Sequence, residues 1–188
     1  MRFNHQLIAA LLCLGAAQAA LGCGFHSMPE VQLEGMYPGS LSVAVALRNA
    51  ADRGVIDAAA LEAPSTGVAG YDEAVRRLQA FRKTLADSPV VAELPASFSL
   101  GYVESDLWTR YSQFGGKIQI DVHTDGPIEG EAVVLTGEPV LTEMLAGRLS
   151  VDRALADGMI IIDGSEREKT ALRHALMTAS MANRISSR

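Results

Sequence analysis

Apolar and polar residues alternate along Phe98-Ser99-Leu100-Gly101-Tyr102, the period of a half-buried strand. Lys117 to His123 alternates in the same way, with Ile118, Ile120 and Val122 on one face and Gln119, Asp121 and His123 on the other. Leu107 to Ser112 and Glu131 to Thr136 read as further strands, and Met159 to Ile162 as a continuous apolar one. Gly115-Gly116 is a hairpin-type turn, and Asp125-Gly126-Pro127 and Asp163-Gly164 also turn the chain. Neighbouring strands joined by such short turns predict an antiparallel sheet of about five strands.

On both sides of this block the spacing becomes helical. Ser40 caps a helix to about Arg53 whose residues are apolar almost all round, which predicts thorough burial, and Gly54 stops it. Residues 63–70 read as a loop. Asp72 to Leu85 follow, with Ala74, Leu78, Phe81 and Leu85 on one face and charges opposite, and Ser88-Pro89 closes this segment. Pro139 suits the first turn of a helix whose apolar face is Val140, Leu141, Met144 and Leu145, ended by Gly147. Ser150 caps a short helix stopped by Gly158. Thr170 to Asn183 form the last helix, with Leu172, Leu176 and Ala179 on one side. The fold class is α+β, with helices packed on one face of the sheet.

The first residues have another character. Arg2 supplies a positive start, Leu7 to Leu14 an uncharged apolar core too short to span a bilayer, and Ala17-Gln18-Ala19 an A-x-A cleavage pattern. The chain divides into a secretory signal peptide at 1–22, an extended leader at 23–38 and a single domain at 39–184. The end of the signal reads in two ways. Cleavage after Ala19 leaves Ala20 first. Alternatively, Ala20-Leu21-Gly22-Cys23 is similar to the lipobox of bacterial lipoproteins, with Ala20 where Leu is usual, and Cys23 becomes a lipidated N-terminus and membrane anchor. Both place the protein outside the cytoplasm, in a bacterial periplasm or as a membrane-anchored lipoprotein.

Apolar residues make up 48% of the chain and aromatics 5%, so the core rests on Leu, Val, Ile, Met and Ala. The formal net charge is −6, which argues against a nucleic-acid partner. The densest basic group, Arg76, Arg77, Arg82 and Lys83, falls on a predicted helix and reads as a solvated face. Cys13 leaves with the signal, so Cys23 stands alone and no intramolecular disulfide forms. Cys23 and His26 together offer a thiolate and an imidazole, ligands for copper, zinc or haem iron, but C-x-x-H lacks the second cysteine of a haem attachment motif. His123 and His174 read as surface residues, and Asp121 with Asp125 as solvated turn acids. No nucleophile elbow, H-E-x-x-H, phosphate loop or G-x-G-x-x-G occurs, so no catalytic residue and no cofactor is predicted.

The most specific stretch runs from Glu131 to Gly164, EAVVLTGEPVLTEMLAGRLSVDRALADGMIIIDG. Leu135, Thr136 and Gly137, then Leu145, Gly147, Arg148, Leu149 and Ser150, then Ala154, Leu155, Gly158 and Gly164 follow the pattern of the sterol carrier protein 2 (SCP2)-like family. The chain resembles that family over roughly residues 96–180. It departs from the family's best-known, intracellular members in carrying an export signal. The resemblance implies an open antiparallel sheet covered on one side by helices, with an apolar tunnel between the layers that binds sterols, acyl chains or phospholipids without reacting them. Leu100, Tyr102, Ile118 and Ile120 on the sheet and Leu141, Met144 and Leu145 on the helix are then the tunnel candidates. The same side chains fill a solid core equally well. Three function classes therefore stand: an exported, non-enzymatic domain binding a lipid or other apolar small molecule in the cell envelope; a metal- or haem-associated accessory protein using Cys23 and His26; and a protein-interaction module with a filled core, its protein partner unspecified.

Overall fold

The computed structural model describes residues 37–62 and 67–186. The signal segment, Cys23 and His26 lie outside the described residues. The strands are β1 (Ser97–Tyr102), β2 (Leu107–Phe114), β3 (Lys117–Thr124), β4 (Ala132–Thr136) and β5 (Ile161–Asp163), joined in one sheet of order β3-β2-β1-β4-β5. The β2–β3 hairpin closes through Gly115 and Gly116 at φ 57° and 76°, the turn geometry that follows the right-handed twist of its strands.

All strand pairs are antiparallel except β1–β4, which run parallel from Phe98 opposite Ala132 to Tyr102 opposite Thr136. The sheet is therefore mixed and mostly antiparallel. Alternation of side chains is the same in either strand direction, so the pattern along the chain is blind to this pairing. Direction is set by the connection: after β3 the chain returns past the hairpin and lays β4 on the free side of β1.

The helices are α1 (Ser40–Asp52), α2 (Ala58–Glu62), α3 (Gly67–Ala86), α4 (Glu138–Leu145), α5 (Val151–Ala156) and α6 (Glu166–Ser186), with a 3-10 turn at Val91–Glu93. In α3 the four predicted apolar positions, Ala74, Leu78, Phe81 and Leu85, are all buried against the sheet. Phe98 stacks on Tyr111 with ring centroids 4.9 Å apart, Phe81 meets Tyr111 edge-on at 5.6 Å, and the Tyr111 hydroxyl donates to the Leu78 carbonyl at 3.3 Å. Burial of each such Leu or Phe contributes about 1.5–3 kcal/mol, which ties α3 to β1 and β2. Gly147 and Gly158 end α4 and α5 in the left-handed region, at φ 72° and 73°. The Ser150 hydroxyl accepts from the Arg153 amide at 3.3 Å, the expected cap.

Several expectations change. Ser40 is the first residue of α1 rather than its cap; Gly39, at φ 95°, stands at the cap and offers no side-chain bond. The helix buries Val43, Leu47 and Ala50 but leaves Leu41 57% and Val45 54% exposed, because only one side of it meets the domain. The segment 63–70 is not all loop, since α3 starts at Gly67. The last helix begins at Glu166, four residues ahead of Thr170, through a capping box. There Ser165 donates its amide to Glu168 Oε2 at 2.9 Å, and Glu168 donates its amide to Ser165 Oγ at 3.4 Å.

On the sheet face turned away from α3, Trp108 lies over Gly101. A Cβ at Gly101 would stand 2.8 Å from the indole Cζ3, so only glycine admits the ring. The Tyr37 ring meets the same indole edge-on at 5.7 Å, while its hydroxyl donates to Asp163 Oδ2 at 2.8 Å. Among the described residues no helix is long and apolar enough to cross a membrane.

Candidate functional site

Three helices meet over the sheet with their apolar stripes facing inward. Phe81 and Thr84 of α3, Leu141, Met144 and Leu145 of α4, and Leu176, Ala179 and Ser180 of α6 enclose a cleft. Its volume is about 10 Å³, the scale of a single water. Among the described residues no charged side chain lines it. Leu141 and Met144 are buried, whereas Leu145 is half-buried and forms the outer wall. Met144 and Leu145 are unbranched or exposed enough to re-orient without breaking backbone structure.

The structure thus brings three of the tunnel candidates together, Leu141, Met144 and Leu145. Leu100 and Tyr102 are buried on β1 and Ile118 on β3, and Ile120 is partly buried; these four belong to the core beneath the helices and do not line the cleft. Phe81, Leu176 and Ala179 were legible as inward-facing positions of their helices, but their meeting across three elements was not. Thr84 and Ser180 carried no signal at all.

One helical turn away the chemistry reverses. Glu138 opens α4 with its side chain only 7% exposed, and it is ion-paired with Arg77 of α3, which also reaches Glu73 at 3.1 Å. The Glu138 amide donates to Glu104 Oε1, in the turn after β1. Glu104 is half-buried as a residue, but its Oε2 is sealed from solvent and has no hydrogen-bond partner among the described residues. Burial pushes its carboxyl up to about 7. The Tyr102 hydroxyl is likewise buried without a partner, and burial, then the nearby Glu104 charge, push this phenol far up. Gly137 permits this crowding: a Cβ there would stand 2.7 Å from Leu47 Cδ1 and 3.2 Å from Glu104 Oε2. A turn reading Glu104-Ser105-Asp106 looks solvated in sequence; it is the packing of α1 and α4 over it that buries the first acid.

A wider hollow of about 370 Å³ lies between the start of β1 and the start of α6, lined by Glu93, Pro95, Ser165, Arg167 and Glu168 among others. It is polar and open, and Glu168 is already committed to capping α6. The smaller cleft is the better site because its walls are desolvated. His123 and His174 are exposed as expected, the latter with Nδ1 2.9 Å from Glu93, and Asp121 and Asp125 are exposed too. Among the described residues no group of three or more His, Cys, Asp or Glu could hold a metal.

No protein-family model and no curated protein sequence matches the chain. Solved structures do. The chain is similar to structures of sterol carrier protein 2. The crystal structure of sterol carrier protein 2 is 17% identical, with a TM-score of 0.40, over 56% of this chain and 94% of that one. The UbiJ-SCP2 ubiquinone synthesis protein is 10% identical, with a TM-score of 0.42 over the same shares, 56% and 94%. A third likeness is to the stereoselective inverting sec-alkylsulfatase Pisa1 from Pseudomonas sp., 16% identical with a TM-score of 0.39 over 51% of this chain. There the chain spans 16% of the enzyme's length. At these identities the likeness is one of fold, and no residue role is carried across.

Proposed function

We propose that this domain binds a lipid or other apolar small molecule between α3, α4 and α6, without reacting it, and does so in the cell envelope. The observation that carries the reading is the desolvated cleft in which Leu141, Met144 and Leu145 face Phe81 and Leu176. The described residues that line it carry no titratable group, which supports binding rather than acid–base chemistry. The motif run from Leu135 to Gly164 supports the same class, since it builds α4 and α5 and the turns that hold them. In its present volume the cleft holds no more than a water, and a ligand tail enters by displacing Met144 and Leu145. The envelope setting is read from Arg2, the apolar core Leu7 to Leu14 and the cleavage patterns ending at Ala19 or Cys23.

Native mass spectrometry of protein purified from its own envelope tests this. A one-to-one lipid adduct that disappears in Leu145→Trp is expected. Protein that carries no lipid, and takes up none when offered vesicles of the same envelope, overturns the reading.

A further inference from the structure

The two edges of the sheet differ. β5 is three residues long, and the Tyr37 hydroxyl is bonded to its last residue, Asp163. β3, at the other edge, is eight residues long. Such an edge carries a row of backbone donors and acceptors ready to pair with another strand. The two-residue loop makes Phe114 and Lys117 the first β2–β3 pair to exchange backbone bonds. Lys117, Gln119 and Asp121 therefore turn their amides and carbonyls toward β2, and Ile118, Ile120 and Val122 turn theirs outward. The Ile118 carbonyl agrees: it accepts from Arg82 Nη1 of α3 at 3.3 Å, off the sheet, and keeps a second lone pair.

This edge is complementary to itself. Let two copies of β3 run antiparallel about Gln119. Ile118 of each copy then meets Ile120 of the other in a hydrogen-bonded pair, using the outward amides and carbonyls. Lys117 of each meets Asp121 of the other in a non-hydrogen-bonded pair, where side chains stand closest. Gln119 meets its own copy on the two-fold axis. Both charged side chains are exposed, and among the described residues neither forms an ion pair. Arg110, opposite Asp121 on β2, is spent on Glu131 and the Gly126 carbonyl. The register is also selected against its neighbours. An axis at Ile118 or Ile120 loses both ion pairs, and one at Lys117 or Asp121 sets like charges face to face.

We propose that β3 is a dimerisation edge, pairing with β3 of a second copy of this chain about Gln119 and joining the two five-stranded sheets edge to edge.

Sedimentation of protein purified from its own envelope tests this, with thermal melts to confirm that each variant folds. Wild type is expected to dimerise. Lys117→Asp and Asp121→Lys each turn both ion pairs into repulsions and should weaken the dimer about thirtyfold. Combining the two substitutions in one chain should restore it, and so should mixing the two single variants. Gln119→Cys should yield, under oxidation, a dimer linked at position 119 and identified by peptide mass, because non-hydrogen-bonded partners stand about 4.5 Å apart at Cα. Wild type that stays monomeric at about 100 μM overturns the proposal. So does a dimer indifferent to both charge variants, a charge-swapped chain that does not recover, or absence of the link at 119. A monomer whose β3 edge instead takes up a strand of a different protein overturns it as well.

Discussion

At its first turn α4 carries Glu138, nearly buried, ion-paired to Arg77 and donating its amide to a sealed carboxylate. At its last turn Met144 and Leu145 face apolar side chains and two hydroxyls across a small void. Both ends pack against α3, and the same helix passes from one environment to the other in two turns. The first end is costly to disturb, because a charge stripped of its partner in a low-dielectric site has nowhere to go. The second is held by dispersion contacts that can be exchanged for those of another apolar body. One end is therefore a fixed point and the other an adjustable wall, which is the arrangement a ligand site needs if it is to open without unfolding.

The sharpest way to break this contrast is to remove the fixed point. Arg77→Met should lower stability to urea by about 3 kcal/mol, by taking one charged partner from the buried Glu138. Adding Glu138→Gln should recover most of the loss. A single substitution costing under about 1 kcal/mol would show that this end is not pinned.

The next effect is tied to pH. The carboxyl of Glu104 sits at about 7 in the folded protein, above its ordinary value near 4.5, so the native state holds this proton more tightly than the unfolded chain. Its contribution is complete below about 4.5 and is lost as pH rises through about 7. Over that window the wild type should lose on the order of 3 kcal/mol from this group. Glu104→Gln, which can still accept the Glu138 amide, should flatten the melting temperature between pH 5 and 8. Parallel curves for the two proteins would refute a buried, proton-holding Glu104.

The smallest effect belongs to the adjustable wall. Met144→Leu should cost less than about 1.5 kcal/mol in the same urea assay, because volume is nearly kept. Leu141→Ala, deeper in the same wall, should cost about 2–5 kcal/mol. If Met144→Leu proves as damaging as Arg77→Met, the two ends of α4 do not differ.

The contrast also marks what could be read ahead of the structure. The apolar half was legible: the spacing of Leu141, Met144 and Leu145, and of Phe81, Leu176 and Ala179, already turned those positions inward. Strand positions and the Gly115-Gly116 turn followed from alternation and turn chemistry. The polar half was not legible. Glu104 and Arg77 look like ordinary surface charges, and only the approach of α1 and α4, through Gly137, seals Glu104, while α4 brings Glu138 to Arg77. The parallel β1–β4 pair was hidden for a similar reason, since it depends on where a connection leads rather than on any local pattern. The early start of α6 was there to be read, in Ser165 followed three residues later by Glu168.

The indole lying over Gly101 has a practical consequence. Trp108 is the chain's one tryptophan, so ultraviolet emission excited at its red edge comes from a single known place. That place is the far side of the sheet from the cleft, against the Tyr37 ring at the entrance to α1. Its spectrum thus gauges how the polypeptide is seated at the start of α1, and it would stay quiet under a ligand bound between the helices.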